Sequence, residues 1–214
     1  MAAQFPHSED ADPACGFTIG LALLDASTGK LGAALLHLAD DLEEALGVYE
    51  RTFAPQQPDG IAQARDIRVQ RIMPPIPSAA ESTGPEEAAR IAGAFPGHVR
   101  PLYALAATDA YACTPAEHAL MRLTASCREA GVPWGGGLAC GGGSLIEPCA
   151  RGPRMGRMRR TRSERIDQLI AAIRSRRAVN DMIDGPASGI LLAPCPLPAP
   201  LYPLATNFYE RHCP

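Results

Sequence analysis

Two glycine triplets within one short apolar segment constrain this chain more than any other feature. The segment spans residues 132–146, and the triplets occupy residues 135–137 and 141–143. Because glycine has no side chain, this density indicates that a ligand or another part of the molecule approaches the backbone closely. The segment is predicted to be a short strand that ends in a glycine loop. In α/β sheets, ligands bind where strands end.

A helix is predicted immediately before this segment, over residues 114–131. Thr114 is predicted as its N-cap, Pro115 stands at the first helical position, Glu117 follows three residues after the cap, and Gly131 ends the helix. A helix, a glycine stop and a short strand in succession are typical of an α/β sheet.

A second strand and helix are predicted near the start of the chain. The continuous apolar run at residues 17–24 predicts a parallel strand buried on both faces. The helix after it is predicted to end at Gly47. Its apolar positions have helical spacing: Leu31, Leu35, Leu38, Leu42 and Leu46.

The turn between this strand and helix has the composition of an anion site. Free backbone N–H groups at the helix start, with the hydroxyls of Ser27 and Thr28, are able to hold a phosphate. Lys30 is the only lysine in the sequence, and an anion contact and a solvent-facing position are equally supported for it. Asp25 counts against the site, because a carboxylate at the loop mouth repels phosphate unless it is turned away.

The remaining periodicity completes an α/β pattern. Residues 48–53 are predicted as a short strand, residues 66–73 as a strand with one solvent-facing side, and residues 100–107 as an apolar strand. Strands are thus expected near residues 17, 48, 67, 101 and 133, and helices near 31, 85, 115 and 160. We therefore predict a three-layer α/β sandwich with a five-stranded parallel sheet.

Composition indicates one domain and gives no support for a membrane or nucleic acid as partner. With 214 residues and 46% hydrophobic residues, the chain can bury one sizeable core. We expect a flexible tail at 1–16, the domain at 17–183, and a proline-rich tail at 184–214 that packs on the domain or on a second subunit. The net charge of −3 gives no reason to expect a membrane or nucleic acid as partner. The odd number of cysteines, seven, without a Cys-x-x-Cys pair predicts free thiols in the cytoplasm and no metal site.

The second half of the chain resembles a known family. Pro101-Leu-Tyr-Ala-Leu, the predicted helix from Pro115, and Trp134-Gly-Gly-Gly-Leu-Ala-Cys-Gly-Gly-Gly are similar to flavodoxin-like NAD(P)H-dependent FMN reductases. The resemblance implies a flavodoxin-like fold, FMN as cofactor, NADPH or NADH as co-substrate, and a small electron acceptor. It implies no catalytic side chain, since the flavin supplies the chemistry. Related reductases often form dimers, so a homodimer is expected.

The same resemblance assigns three loops to FMN. The first matches the flavodoxin phosphate loop only partly, because Ala26 and Leu31 replace hydroxyl residues. The second, at residues 74–78 after the third predicted strand, lacks the aromatic residue that normally lies against the flavin ring, and Tyr111 in residues 108–111 is an alternative source of that ring. The cofactor-binding residues implied are Ser27, Thr28, Gly29, Lys30, Pro75, Ile76, Ser78, Thr108, Asp109, Tyr111, Gly141 and Gly142.

Two other functions remain open from the sequence. The incomplete second loop and Asp25 favour a non-catalytic protein of the same fold that has lost flavin and serves as an interaction or regulatory subunit. Residues 151–165 contain seven arginines. Arginines in this number are able to bind the 2′-phosphate of NADPH, RNA or an acidic partner, or they form a solvated helix face. The absence of interleaved aromatic residues makes nucleic acid the least favoured of these partners.

Overall fold

A computed structural model of the chain describes residues 17–27, 29–53, 67–73, 90–91, 93 and 101–212. Five strands in these residues form one sheet in which every neighbouring pair is parallel. The order is β2-β1-β3-β4-β5, which is the flavodoxin-like order of doubly wound sheets. The predicted α/β fold is confirmed. The strands are β1 (Thr18–Asp25), β2 (Arg68–Ile72), β3 (Leu102–Ala107), β4 (Trp134–Cys140) and β5 (Ile190–Ala193).

Helices cover both faces of the sheet and create two hydrophobic cores. Residues of α1 and α4 pack on one face around Leu21, Leu105 and Leu138, whereas α2 packs on the other around Ala104 and Ala139. Alternating residues of β3 and β4 therefore enter opposite cores, as the strand period requires. The helices are α1 (Gly32–Phe53), α2 (Thr114–Ala130), α3 (Ile146–Cys149), α4 (Arg160–Arg174) and α5 (Tyr202–His212).

Two of the strand predictions were wrong. Residues 48–53 form the last turns of α1, which continues through Gly47. One interior glycine costs a helix only about 1 kcal/mol, and beyond that glycine Tyr49 packs against the core, which offsets the cost. The fifth strand, β5, was missed because it is a four-residue run that proline follows directly, at Pro194. The segment after residue 183 thus supplies an edge strand of the sheet.

The polar residues of the strand predicted at 66–73 are explained by its position. β2 pairs only with β1 and lies at the edge of the sheet. Arg71 there pairs with Asp40 and Glu43 of α1 at 2.7 and 2.5 Å. A charged side chain is tolerated at an edge because one side of the strand remains near solvent.

The predicted boundaries of α2 were right at one end. Gly131 adopts φ 67° and ends the helix in the left-handed conformation. At the other end Cys113, not Thr114, occupies the N-cap position, and no side chain caps it. Of the short helix expected near residue 85, the structure describes Arg90, Ile91 and Gly93, which are helical. The tail expected at 1–16 lies outside the described residues.

The first glycine triplet allows three close approaches by the protein's own side chains. A Cβ on Gly135 would lie 2.5 Å from the Tyr103 ring, and one on Gly137 would lie 3.0 Å from Leu120. Gly136 has φ 132°, and a Cβ there would collide with Val179. The density of glycine in β4 is thus a packing requirement of the sheet.

Two buried thiols give a test of this packing. Burial raises the pKa of Cys127 and of Cys140 to about 12. Because the thiolate is the nucleophile, we expect neither residue to react with a maleimide at neutral pH until the protein is denatured. Peptide mapping after labelling checks this, and modification of either residue in the native protein would contradict it.

The same thiols predict a pH dependence of stability. Cysteine thiols ionise in the unfolded state from about pH 8.5, whereas Cys127 and Cys140 stay protonated in the folded state up to about pH 12. The unfolded state therefore binds fewer protons in this window, and the free energy of unfolding falls as the pH rises through it. Denaturant melts on either side of pH 9, with Cys→Ala variants as controls, measure the effect.

None of the described helices is both long and apolar enough to span a lipid bilayer.

Candidate functional site

The candidate site lies at the carboxyl edge of the sheet. β3 lies between β1 and β4, so the loops that follow these three strands are neighbours. The first runs from Ala26 to Leu31, the second from Thr108 to Cys113, and the third begins at Gly141. This edge includes the point where strand order reverses, between β1 and β3, which is where doubly wound proteins bind ligands.

Asp25 closes the first loop from within. Its Oδ1 accepts hydrogen bonds from the Ser27 backbone N–H at 2.9 Å and from Ser27 Oγ at 2.8 Å. Its Oδ2 accepts the Leu31 backbone N–H at 2.8 Å. The carboxylate therefore turns inward and bonds to donors that the sequence assigned to a phosphate. Gly29 adopts φ 83° to complete the turn.

Lys30 points out of this loop and lines a cavity of about 370 Å³ at the sheet edge. The side chain is exposed, and it forms no ion pair with any residue that the structure describes. Asp109 of the second loop lines the same cavity. The complete lining is Lys30, Leu31, Ala34, Asp109, Gly143, Ser144, Glu147, Tyr202 and Thr206.

Asp109 is held from two directions. Ser144 Oγ donates to its Oδ1 at 2.8 Å, and the Tyr202 hydroxyl donates to its backbone carbonyl at 2.5 Å. Thr108, just before it, is buried, and its Oγ1 accepts the Ala110 N–H at 3.2 Å. Thr108 therefore builds the loop and does not face the cavity.

The second glycine triplet begins the third loop and is packed by the protein itself. A Cβ on Gly141 would lie 2.6 Å from the Tyr111 carbonyl oxygen, and one on Gly142 would lie 2.9 Å from Cys195 Sγ. The amides of residues 141, 142 and 143 donate to the carbonyls of Ala193, Ala110 and Thr108. These three N–H groups are therefore not available as hydrogen-bond donors to a ligand.

The C-terminal segment lies against the second loop. The Tyr111 hydroxyl donates to the Leu197 carbonyl at 2.9 Å, and the Tyr111 and Tyr202 ring centroids are 5.8 Å apart. Tyr111 is 38% exposed, so one part of its ring is covered by the chain and another faces solvent.

The third strand along the chain differs from the one predicted, so a different loop follows it. We assigned residues 74–78 to that place, but they follow the edge strand β2, and the loop after the third strand is 108–113, which contains Tyr111. That assignment was wrong because residues 48–53 were counted as a strand. Thr28, Pro75, Ile76 and Ser78 lie outside the described residues.

Most arginines of residues 151–165 have partners inside the chain. Arg159 donates to Asp41 at 2.6 Å and to the carbonyls of Ala150 and Gly152. Arg154 pairs with Asp167 at 2.8 Å. Five of the seven have such bonds: Arg154, Arg159, Arg160, Arg162 and Arg165. These bonds stabilise the domain, and few guanidinium groups of the segment remain to bind a polyanion.

Sequence reasoning missed four polar residues of the cavity. Ser144 and Glu147 follow the third loop, and Tyr202 and Thr206 belong to α5. None has a motif of its own, and the last two come from a segment predicted to be a tail. The sequence marked this region by the glycine loop before Ser144 and by Lys30 and Asp109, which were predicted as binding residues and line the cavity.

Comparison of this chain with protein-family models, with curated proteins and with solved structures finds no match. The resemblance to FMN reductases therefore stays an expectation from the sequence.

In this arrangement the described residues of the first loop offer fewer donors to the phosphate of FMN than a flavodoxin-type site does. A flavodoxin-type site needs unpaired N–H and O–H donors in the first loop, and Asp25 already binds those of Ser27 and Leu31. A phosphate placed there would also meet the carboxylate charge, and at about 4 Å such repulsion is worth several kcal/mol near a protein surface. Among the described residues, no three His, Cys, Asp or Glu side chains cluster as metal ligands do.

Proposed function

We propose that this chain is a non-catalytic protein of flavodoxin-like fold that has lost flavin binding and acts as an interaction or regulatory subunit. The observation that carries the proposal is the inward turn of Asp25, whose two carboxylate oxygens take three donors of the first loop. The Asp25 carboxylate takes the place that the phosphate of FMN has in a flavodoxin-type loop.

The third loop supports the same proposal. Its glycine amides are bonded to the protein's own carbonyls, and Cys195 and Tyr202 lie against Gly142. The space that a flat ring system would need beside the glycine loop is thus partly filled by the C-terminal segment.

An interaction role is supported by the surface of the last helix. Leu204 of α5 is 67% exposed and Phe208 is 56% exposed, and Leu201 just before them is also exposed. Large apolar side chains grouped in this way are more typical of a surface that contacts another protein than of a fully solvated helix. A homodimer is the partner expected from the sequence.

FMN-dependent reduction by NAD(P)H is the second candidate, and one observation favours it. Tyr111 lies in the loop after the third strand with part of its ring exposed, at the place where the family's aromatic residue lies against the flavin. This candidate requires Asp25 to leave the donors of Ser27 and Leu31.

Titration with FMN separates the two candidates. We expect the wild-type chain to be colourless and to leave the fluorescence of micromolar FMN unchanged. The Asp25→Gly variant frees the loop donors and removes the repelling charge, so we expect it to bind FMN at least about tenfold more tightly than the wild type.

Two controls make this titration decisive. Asp25→Asn keeps the size of the side chain, removes its charge and shows whether charge alone blocks FMN. Asp40→Asn removes an exposed carboxylate of α1 and should have no effect on FMN binding. Each variant is compared by circular dichroism to show that it is folded. A yellow wild-type preparation, or micromolar FMN binding by the wild type, would refute the proposed loss of flavin and favour the reductase.

A further inference from the structure

The cavity beside Lys30 combines charges of both signs. Lys30 supplies an ammonium group from the first loop, and Asp109 and Glu147 supply carboxylates from the segments after β3 and β4. Both Lys30 and Glu147 are exposed. Within the described part of the chain, neither side chain forms a hydrogen bond or an ion pair that would neutralise it. The cavity therefore has unused charge of each sign.

One carboxylate of the cavity is already oriented. Ser144 Oγ binds Asp109 Oδ1 and leaves Oδ2 available, while Tyr202 fixes the backbone of the same residue. Thr206 is held in turn, since its Oγ1 lies 3.2 Å from the Tyr202 carbonyl. Polar groups that are fixed before binding lose less conformational entropy when a ligand arrives.

The rest of the lining is small and apolar. Leu31 and Ala34 are buried at the start of α1, and Gly143 has no side chain. A volume of about 370 Å³ is at the low end of the range for small-molecule sites. The cavity suits a compact ligand with charged groups and a short apolar part.

We propose that this cavity binds a small zwitterion of the free α-amino-acid class. The ligand's carboxylate pairs with Lys30, and its ammonium group pairs with Glu147 and Asp109. The inference rests on the proposed function in one respect, which is that FMN does not occupy this edge of the sheet. It adds a ligand class to a regulatory protein.

Ligands with charge of one sign are disfavoured by the same lining. Two carboxylates repel a phosphate or a simple carboxylic acid, whereas a simple amine pairs with the carboxylates but leaves Lys30 without a counter-charge. A zwitterion meets an opposite charge at each end, so it gains both contacts and brings no uncompensated charge into the cavity.

The test uses the full chain labelled with ¹⁵N and titrates it separately with each of the twenty free amino acids, up to about 10 mM, a range that detects millimolar binding. Acetate, putrescine, inorganic phosphate and FMN are titrated in parallel. We expect at least one amino acid to shift the amide resonances of residues that line the cavity, with tighter binding than acetate, putrescine or phosphate.

Three variants assign the contacts. We expect Lys30→Met and Glu147→Gln each to weaken binding of that amino acid at least about tenfold, because each removes one charge pair. Glu164→Gln removes an exposed carboxylate that does not line the cavity, and it should leave binding unchanged.

The inference is overturned by several results. The first is that no amino acid shifts the amide resonances of the cavity residues. The second is that a ligand with charge of one sign binds as tightly as the amino acid. The third is that both Lys30→Met and Glu147→Gln bind the amino acid as the wild type does. If these occur while FMN also fails to bind, the proposed loss of flavin stands and only the ligand class is wrong. Binding of FMN by the wild type would overturn the proposed function itself.

Discussion

Gly136→Ala is expected to lower the free energy of unfolding by about 2–6 kcal/mol. Two costs combine. Gly136 has φ 132°, a conformation that costs other residues about 1–3 kcal/mol. The new Cβ would also collide with Val179 in a packed region, and such overpacking costs about 1–3 kcal/mol more.

Gly131→Ala is the matched control for this change. Gly131 also has a positive φ, 67°, but a Cβ there meets no atom within 4 Å. We therefore expect the free energy of unfolding to fall by only about 1–2 kcal/mol, from the left-handed backbone conformation. Urea denaturation of both variants measures the difference. If Gly136→Ala is no more destabilising than Gly131→Ala, the close packing assigned to β4 is wrong.

Asp41→Ala is expected to destabilise the fold by about 3 kcal/mol or more. The Asp41 side chain is only 10% exposed and pairs with Arg159 at 2.6 Å. Arg159 also holds the carbonyls of Ala150 and Gly152, so it cannot move to solvent without loss of those bonds. Removal of one partner of a buried pair leaves an uncompensated charge, which typically costs about 3–5 kcal/mol.

Asp40→Ala gives the comparison for Asp41, from the next position on the same helix. Asp40 is 61% exposed and pairs with Arg71 at 2.7 Å. An exposed pair contributes about 0–1 kcal/mol, so the thermal midpoint should change little. Similar losses of stability in Asp41→Ala and Asp40→Ala would mean that the contact between Asp41 and Arg159 does not anchor the segment before α4.

Much of the fold could be predicted because the signals are local. The apolar run of β1, the leucine spacing of α1 and the glycine stop at Gly131 each depend on a few neighbouring residues. The helix expected near residue 160 is present as α4, and its apolar residues are buried: Ile166, Leu169, Ile170 and Ile173.

The errors in the fold arose where distant contacts decide the structure. Gly47 favours a helix end locally, but α1 continues because Tyr49 packs against the core and Glu50 accepts a hydrogen bond from the Ile67 backbone N–H. β5 is too short to be recognised, and it is a strand because β4 is beside it.

The candidate site was only partly predictable for a similar reason. The sequence places Asp25, Ser27 and Lys30 in one loop, but it does not show which way a carboxylate turns. That direction depends on donors two and six residues away. Lys30 and Thr206 line the same cavity although they are far apart in the sequence. No local sequence pattern indicates a contact between such distant residues.

One measurement tests the central claim most directly: the backbone amide resonances of Ser27 and Leu31 during a titration of the wild-type protein with FMN. If Asp25 holds these two N–H groups, their chemical shifts in the wild type should stay unchanged up to the FMN concentration that saturates the Asp25→Gly variant, and they should move only in that variant. Saturable shifts of both amides in the wild type would show that the loop accepts a phosphate, and they would contradict the account.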